Sequence, residues 1–232
     1  MLIHTLTPVQ PCRPAAPRAF SLLNLLALGA VAGPLLFTLA WIGFGVLQPP
    51  TLTPFGVLGG LSGAISNPIS GLGVGPFAAQ FNTAFVVCGL LQAIGCVAAL
   101  ECLASGSRRL PRTLCEGLLA ISPLGLALAG LFTLASALVL HIVAGTLVFA
   151  SPVVSFLATG LLLRVIPAYR RIGIGLLLAS PLTLLLFIAY STSFDQATVA
   201  AGLGIAGATE RILMLEIQAW YVVLGWLAFR HR

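Results

Sequence analysis

Four side chains carry most of the chemical potential of this sequence: His141, Glu210, Arg211 and Glu216. An imidazole accepts or passes a proton near neutral pH. Carboxyl and guanidinium groups hold polar ligands, or one another, through charge-assisted hydrogen bonds. Their surroundings are what make them candidates. Gly117 to Leu163 is a 47-residue run without Asp, Glu, Lys or Arg, and His141 lies inside it. One membrane-spanning helix needs about 20 apolar residues. The run therefore reads as two helices folded as a hairpin, with His141 at the turn, opposite the charged ends Glu116 and Arg164.

Glu210, Arg211 and Glu216 belong to a last apolar segment, expected as a helix over 208–229. At 1.5 Å per residue, Glu216 falls about 12 Å inside it. A charged side chain at mid-bilayer costs about 2.5–3.5 kcal/mol on insertion scales. Glu216 is thus expected to be protonated or paired with another helix. Arg211 and Glu216 are five residues apart, about 140° around a helix, and do not pair within it. Arg211, Gln218 and Gly225 share one face instead.

Spacing also orients the helices that carry these residues. His141, Gly145, Val148, Pro152, Ser155 and Thr159 follow steps of three and four, one continuous helical face of small and polar groups. His141 heads the face that packs inward or lines a cavity. Cys88, Gln92, Gly95 and Ala99 repeat the pattern on another span, and small residues on one face let helices approach closely in lipid.

The whole chain fits a membrane bundle. It has 232 residues, 59% of them hydrophobic and 7% charged, where a soluble domain carries about 25% charged residues. Six spans are expected, over 22–47, 82–104, 117–133, 139–163, 172–192 and 208–229. Residues 1–20 are read as a cytoplasmic tail and 21–232 as one all-α membrane domain. All eleven basic residues are arginines. With both termini inside, every arginine except Arg211 faces the cytoplasm, as the positive-inside rule requires. Span-end arginines account for the net charge of +6, so no nucleic-acid partner is expected. The bilayer is the expected partner, and the bacterial cytoplasmic membrane the expected location.

Gln48 to Phe81 stands apart. It has no charge, seven glycines and five prolines. It is too broken for a span and too apolar for a solvated loop, so a surface cap or a re-entrant loop is expected. Gly71-Leu72-Gly73-Val74-Gly75 has the wrong spacing and flanks for a phosphate cradle and reads as tight turns. Pro123, Pro152 and Pro181 each follow a serine inside a span, where hydroxyls and neighbouring helices can satisfy the freed carbonyls.

Ser66-Asn67-Pro68-Ile69-Ser70-Gly71-Leu72-Gly73-Val74-Gly75-Pro76, running on to Asn82, Phe85 and Gly89-Leu90-Leu91, resembles the membrane family catalogued as domain of unknown function 998. His141, opening the fourth span, and Gly207-Ala208-Thr209-Glu210-Arg211, opening the sixth, extend the resemblance. It covers about 22–229 and implies a six-span protein, with no activity attached. One position departs. The family often has an acidic residue after a Gly-x-Phe in the turn between spans three and four. Here Gly130-Leu131-Phe132 leads into Thr133-Leu134-Ala135-Ser136.

Enzyme chemistry finds little support. His141 is the only histidine within a span, so paired haem ligands are lacking. There is no HExxH, no GxSxG and no zinc spacing among the five cysteines. Cys88 and Cys96 read as small apolar residues. Neither catalysis nor a cofactor or metal is expected. Two readings remain open. One is a protein that binds or transports a small molecule or lipid at an outer-leaflet site built from His141, Glu210, Arg211 and Glu216. The other is a non-catalytic structural or sensory protein whose buried polar residues hold helices together.

Overall fold

The computed structural model describes residues 21–230. The expected tail, residues 1–20, lies outside the described residues, as does Arg232. The first span is two collinear pieces, α1 (Leu22–Ala27) and α2 (Gly29–Leu47). A hairpin of β1 (Thr51–Thr53) and β2 (Gly56–Leu58) follows, then α3 (Gly60–Ser66) and a 3-10 helix (Ile69–Val74). The remaining spans are α4 (Ala78–Leu103), α5 (Arg109–Leu131), α6 (Leu138–Leu163), α7 (Arg170–Ser193) and α9 (Ala206–Arg230). A short α8 (Gln196–Ala200) precedes the last. Asp195 caps α8, accepting bonds from the hydroxyl and N–H of Thr198. Those bonds hold its carboxyl below the usual range.

Among the described residues, six helices are long and apolar enough to cross a membrane, and the 117–163 run forms the hairpin of α5 and α6. The boundary that moved most is the start of the third span. Arg109 and Arg112, expected in a loop, lie in the first turn of α5. Arg112 explains the extension. It pairs with Glu116 one turn on at 3.4 Å and with Glu101 of α4 at 3.3 Å, so the charged turn is held against its neighbour at the arginine-rich end. Arg108, Arg164, Arg170, Arg171 and Arg230 mark that same end of their helices.

Helix α4 is the hub, touching α1, α2, α5 and α9. Its buried face contains Cys88, Gln92, Gly95, Cys96 and Ala99, as the spacing predicts. A side chain on Gly95 would collide with the backbone of Gly29 and Ala30, so these helices meet backbone to backbone. Leucines and isoleucines such as Leu39, Leu178 and Leu185 are exposed on the outer flanks, where lipid replaces water.

The prolines behave as expected. Proline lacks an N–H and orphans the carbonyl four residues earlier. For Pro123 that carbonyl is Leu119, and Tyr221 of α9 donates its hydroxyl to it at 2.9 Å. For Pro152 it is Val148, and Ser122 of α5 donates to it at 2.8 Å. Ser180 of α7 reaches the carbonyl of Val153 in α6 at 2.7 Å. The hydroxyls of Tyr221 and Ser122 thus tie helix to helix where the ladders are broken, and Ser180 ties α7 to α6 beside one of those breaks.

Residues 48–77 cap the bundle at the end opposite the arginines. Ile69 and Leu72 are buried, and the 3-10 helix rests on α2, α4 and α9. The cap descends about one helical turn, since Ile69 meets Glu210, four residues and about 6 Å into α9. The Gly71, Gly73 and Gly75 series has a reason other than tight turns, and none of the three has a positive φ. Added side chains there would strike the amides of Asn67, Asn82 and Gln48 respectively. Each glycine leaves room for a buried amide. These amides in turn donate to the carbonyls of Val57, Gly73 and Leu72 at 3.0 Å.

Candidate functional site

His141 sits in the first turn of α6 because the 132–137 turn brings α6 back beside the end of α5. Thr133 and Ser136 close that turn through mutual backbone and hydroxyl bonds. The last carbonyls of a helix lack partners within it. His141 Nδ1 supplies one, at 2.7 Å from the Phe132 carbonyl and 3.0 Å from that of Ala129. Carbonyls only accept, so Nδ1 carries the proton. The other nitrogen, Nε2, takes no hydrogen bond from the described residues and presents a lone pair.

Glu210 and Arg211 are consecutive and buried, at 5% and 9% exposure. They do not form an ion pair. Glu210 Oε2 accepts the backbone N–H of Ile69 at 2.5 Å. Arg211 Nη1 donates to the carbonyls of Asn67 and Gly207, both at 2.9 Å. Its guanidinium lies over the Trp41 ring at 5.5 Å, a stacking geometry that favours a cation.

A cavity of about 360 Å³ opens beside these groups, under the cap and between α5, α6, α7 and α9. His141 and Glu210 both line it; Arg211 and Glu216 do not. Its walls are mainly apolar. Phe149, Phe187 and Tyr190 form one side, with Phe149 lying 5.5 Å from Tyr190 and 6.5 Å from Phe187, ring to ring. Leu126, Met214 and Ile69 close the inner wall. Ile142, Thr146 and Ser191 line the cavity and are also exposed on the flank of the bundle, so it opens sideways between α6 and α7; Pro54, Phe194 and Gln196 are exposed lining residues at the cap end. A side chain on Gly145 would meet nothing within 4 Å, because it would point into open space there.

Glu216 belongs to a different contact. It lies about 9 Å further along α9 than Glu210, and its Oε2 accepts the hydroxyl of Thr183 in α7 at 2.9 Å. This contact with another helix is one of the two states its depth allows, and Glu216 Oε1 is buried without a partner among the described residues. The four residues of the sequence reading therefore divide. Two share a cavity, one pins the cap and one joins two helices. Among the described residues, no group of three His, Cys, Asp or Glu could hold a metal ion.

Sequence reasoning did not find the aromatic wall or the cap residues Asn67 to Gly71 that close the cavity. Phe149 lies four residues beyond Gly145 and eight beyond His141, one helical face, and that spacing was the available signal. Nothing local could have placed Phe187 opposite it.

The profile of the family described as Protein of unknown function (DUF998) matches residues 31–227, from α2 to the end of α9. The chain belongs to the DUF998 family. No curated protein matches it, and neither does any solved structure. The DUF998 profile thus spans every element that lines the cavity, from the cap to α9.

Proposed function

We propose that this DUF998 protein binds a small amphipathic molecule or lipid in the cavity beneath its cap, without turning it over. The observation that carries the reading is a largely apolar chamber, open on the flank of the bundle, with His141 Nε2 and the Glu210 carboxyl at its polar end. Ligand sites combine such apolar walls with a few convergent polar groups, at volumes of about 300–1,000 Å³. A sideways mouth suits a molecule that arrives through the bilayer. With the arginine-rich end in the cytoplasm, both termini are cytoplasmic and the cavity lies in the outer leaflet of the bacterial cytoplasmic membrane. Passage of the occupant across the membrane would extend the same reading from binding to transport.

Native mass spectrometry of gently extracted protein tests it. Wild type is expected to carry a defined molecule, and Gly145→Leu, which fills the chamber, to lose it. Identical spectra for the two proteins would remove the reading. A second reading has its own support: Glu210 and Arg211 both bind the cap backbone, and Glu216 bonds Thr183. On that view they are interhelical fastenings. A Gly145→Leu protein that keeps every cellular phenotype of wild type would favour it.

A further inference from the structure

We infer that the cavity selects headgroups that donate hydrogen bonds, an alcohol or an amine on a single apolar chain, and rejects phosphate and carboxylate. The inference rests on the binding reading and deepens it. The two groups that the structure fixes at the end of the chamber, His141 Nε2 and Glu210 Oε1, both present acceptors. His141 Nδ1 is held as a donor by the carbonyls of Ala129 and Phe132, which leaves Nε2 with a lone pair. Glu210 Oε2 is occupied by Ile69 N–H, and Oε1 has no partner among the described residues.

Two strong donors near this end are already committed. Arg211, the one arginine at this end of the bundle among the described residues, does not line the cavity, and its Nη1 points at the carbonyls of Asn67 and Gly207. The Ile69 N–H, which opens the 3-10 helix, already faces the Glu210 carboxyl. An incoming phosphate would meet those acceptors, and no arginine among the described residues lines the cavity to offset its charge. The hydroxyls of Ser70, Tyr190 and Ser191 and the amide of Gln196, which also line the cavity, can turn to suit either kind of ligand.

The test uses the full chain in phosphatidylcholine nanodiscs, since that lipid's headgroup has no donor. Three probes share one chain length: 1-decanoylglycerol, decylammonium and decanoate, titrated by native mass spectrometry. The alcohol or the amine is expected to bind about tenfold more tightly than decanoate, roughly one well-made hydrogen bond. His141→Asn keeps a donor where Nδ1 was and deletes Nε2, and it is expected to erase the preference for the alcohol. Glu210→Gln keeps an acceptor for Ile69 and is expected to erase the preference for the amine. Decanoate binding as tightly as the other two, with Gly145→Leu abolishing all three, would overturn the headgroup rule and leave the cavity reading standing. Binding of all three that Gly145→Leu leaves unchanged would overturn both.

Discussion

Glu210 and Arg211 are neighbours of opposite charge that grip the two sides of Pro68 instead of each other. The carboxyl takes the N–H of Ile69 and the guanidinium donates to the carbonyl of Asn67. A cap backbone with no regular ladder of its own is anchored by the complementary pair of one helix. Each residue supplies what the other cannot, an acceptor for the N–H and a donor for the carbonyl.

Replacing the acceptor should therefore matter more than removing the charge. Glu210→Gln keeps an oxygen for Ile69 and is expected to melt close to wild type. Glu210→Leu leaves a buried N–H unpaired, a loss of about 1–3 kcal/mol. Thermal unfolding in detergent, followed by tryptophan fluorescence, separates the two. Equal melting of both variants would mean that the Ile69 bond contributes nothing.

His141 allows a parallel comparison at the other side of the cavity. His141→Asn retains a donor for the Phe132 and Ala129 carbonyls and should fold normally. His141→Phe keeps the bulk and loses the donor, and it should be less stable by about 1–3 kcal/mol. A stable His141→Phe protein would show that the end of α5 is satisfied by other means.

The fold was legible in the sequence because the membrane simplifies it. Uncharged runs of fixed length, with arginines at alternate ends, dictate the number of spans and their alternation. The inward faces of α4 and α6 were legible for a related reason: small and polar residues at helical spacing have nowhere favourable to go in lipid. The site was legible only in part. His141 and Glu210 could be singled out as polar groups in an apolar run. Arg211 and Glu216 carried the same signal, yet they point elsewhere, because steps of one and six residues beyond Glu210 turn a side chain about 100° and 240° around the helix, to different neighbours. The glycines of the cap were misread as turns, since Asn82 and Gln48, whose amides fill the spaces they leave, are not adjacent in sequence.

That reading of the glycines makes its own prediction. Gly73→Ala would place a methyl where the Asn82 amide sits, breaking the bond from Asn82 to the Gly73 carbonyl. The cap should loosen while the spans persist. Hydrogen exchange should rise across 67–77 and stay at the wild-type level in α4 and α5. Uniform exchange along the whole chain would contradict this account.

The topology predicts which surfaces face which compartment. A single cysteine introduced at Asp195, in an otherwise cysteine-free protein, should react with an impermeant maleimide added outside intact cells. One introduced at Ser105, at the arginine-rich end, should react only after the membrane is opened. Reversed labelling would invert the orientation and place the cavity in the inner leaflet.

The broken ladders offer the sharpest test of packing. Ser122→Ala leaves the Val148 carbonyl without its donor, at a loss of about 1–3 kcal/mol. Pro152→Ala restores an N–H four residues beyond Val148, which can donate to the same carbonyl. In that background Ser122→Ala should lose most of its effect, so the double-mutant cycle should show a coupling of about 1 kcal/mol. Residues that share no partner add independently, and strict additivity here would mean that the serine does not answer the proline. Tyr221→Phe with Pro123→Ala repeats the cycle on the Leu119 carbonyl. Coupling at both sites would establish that Pro123 and Pro152 are each paired with the hydroxyl that their missing hydrogen bond requires.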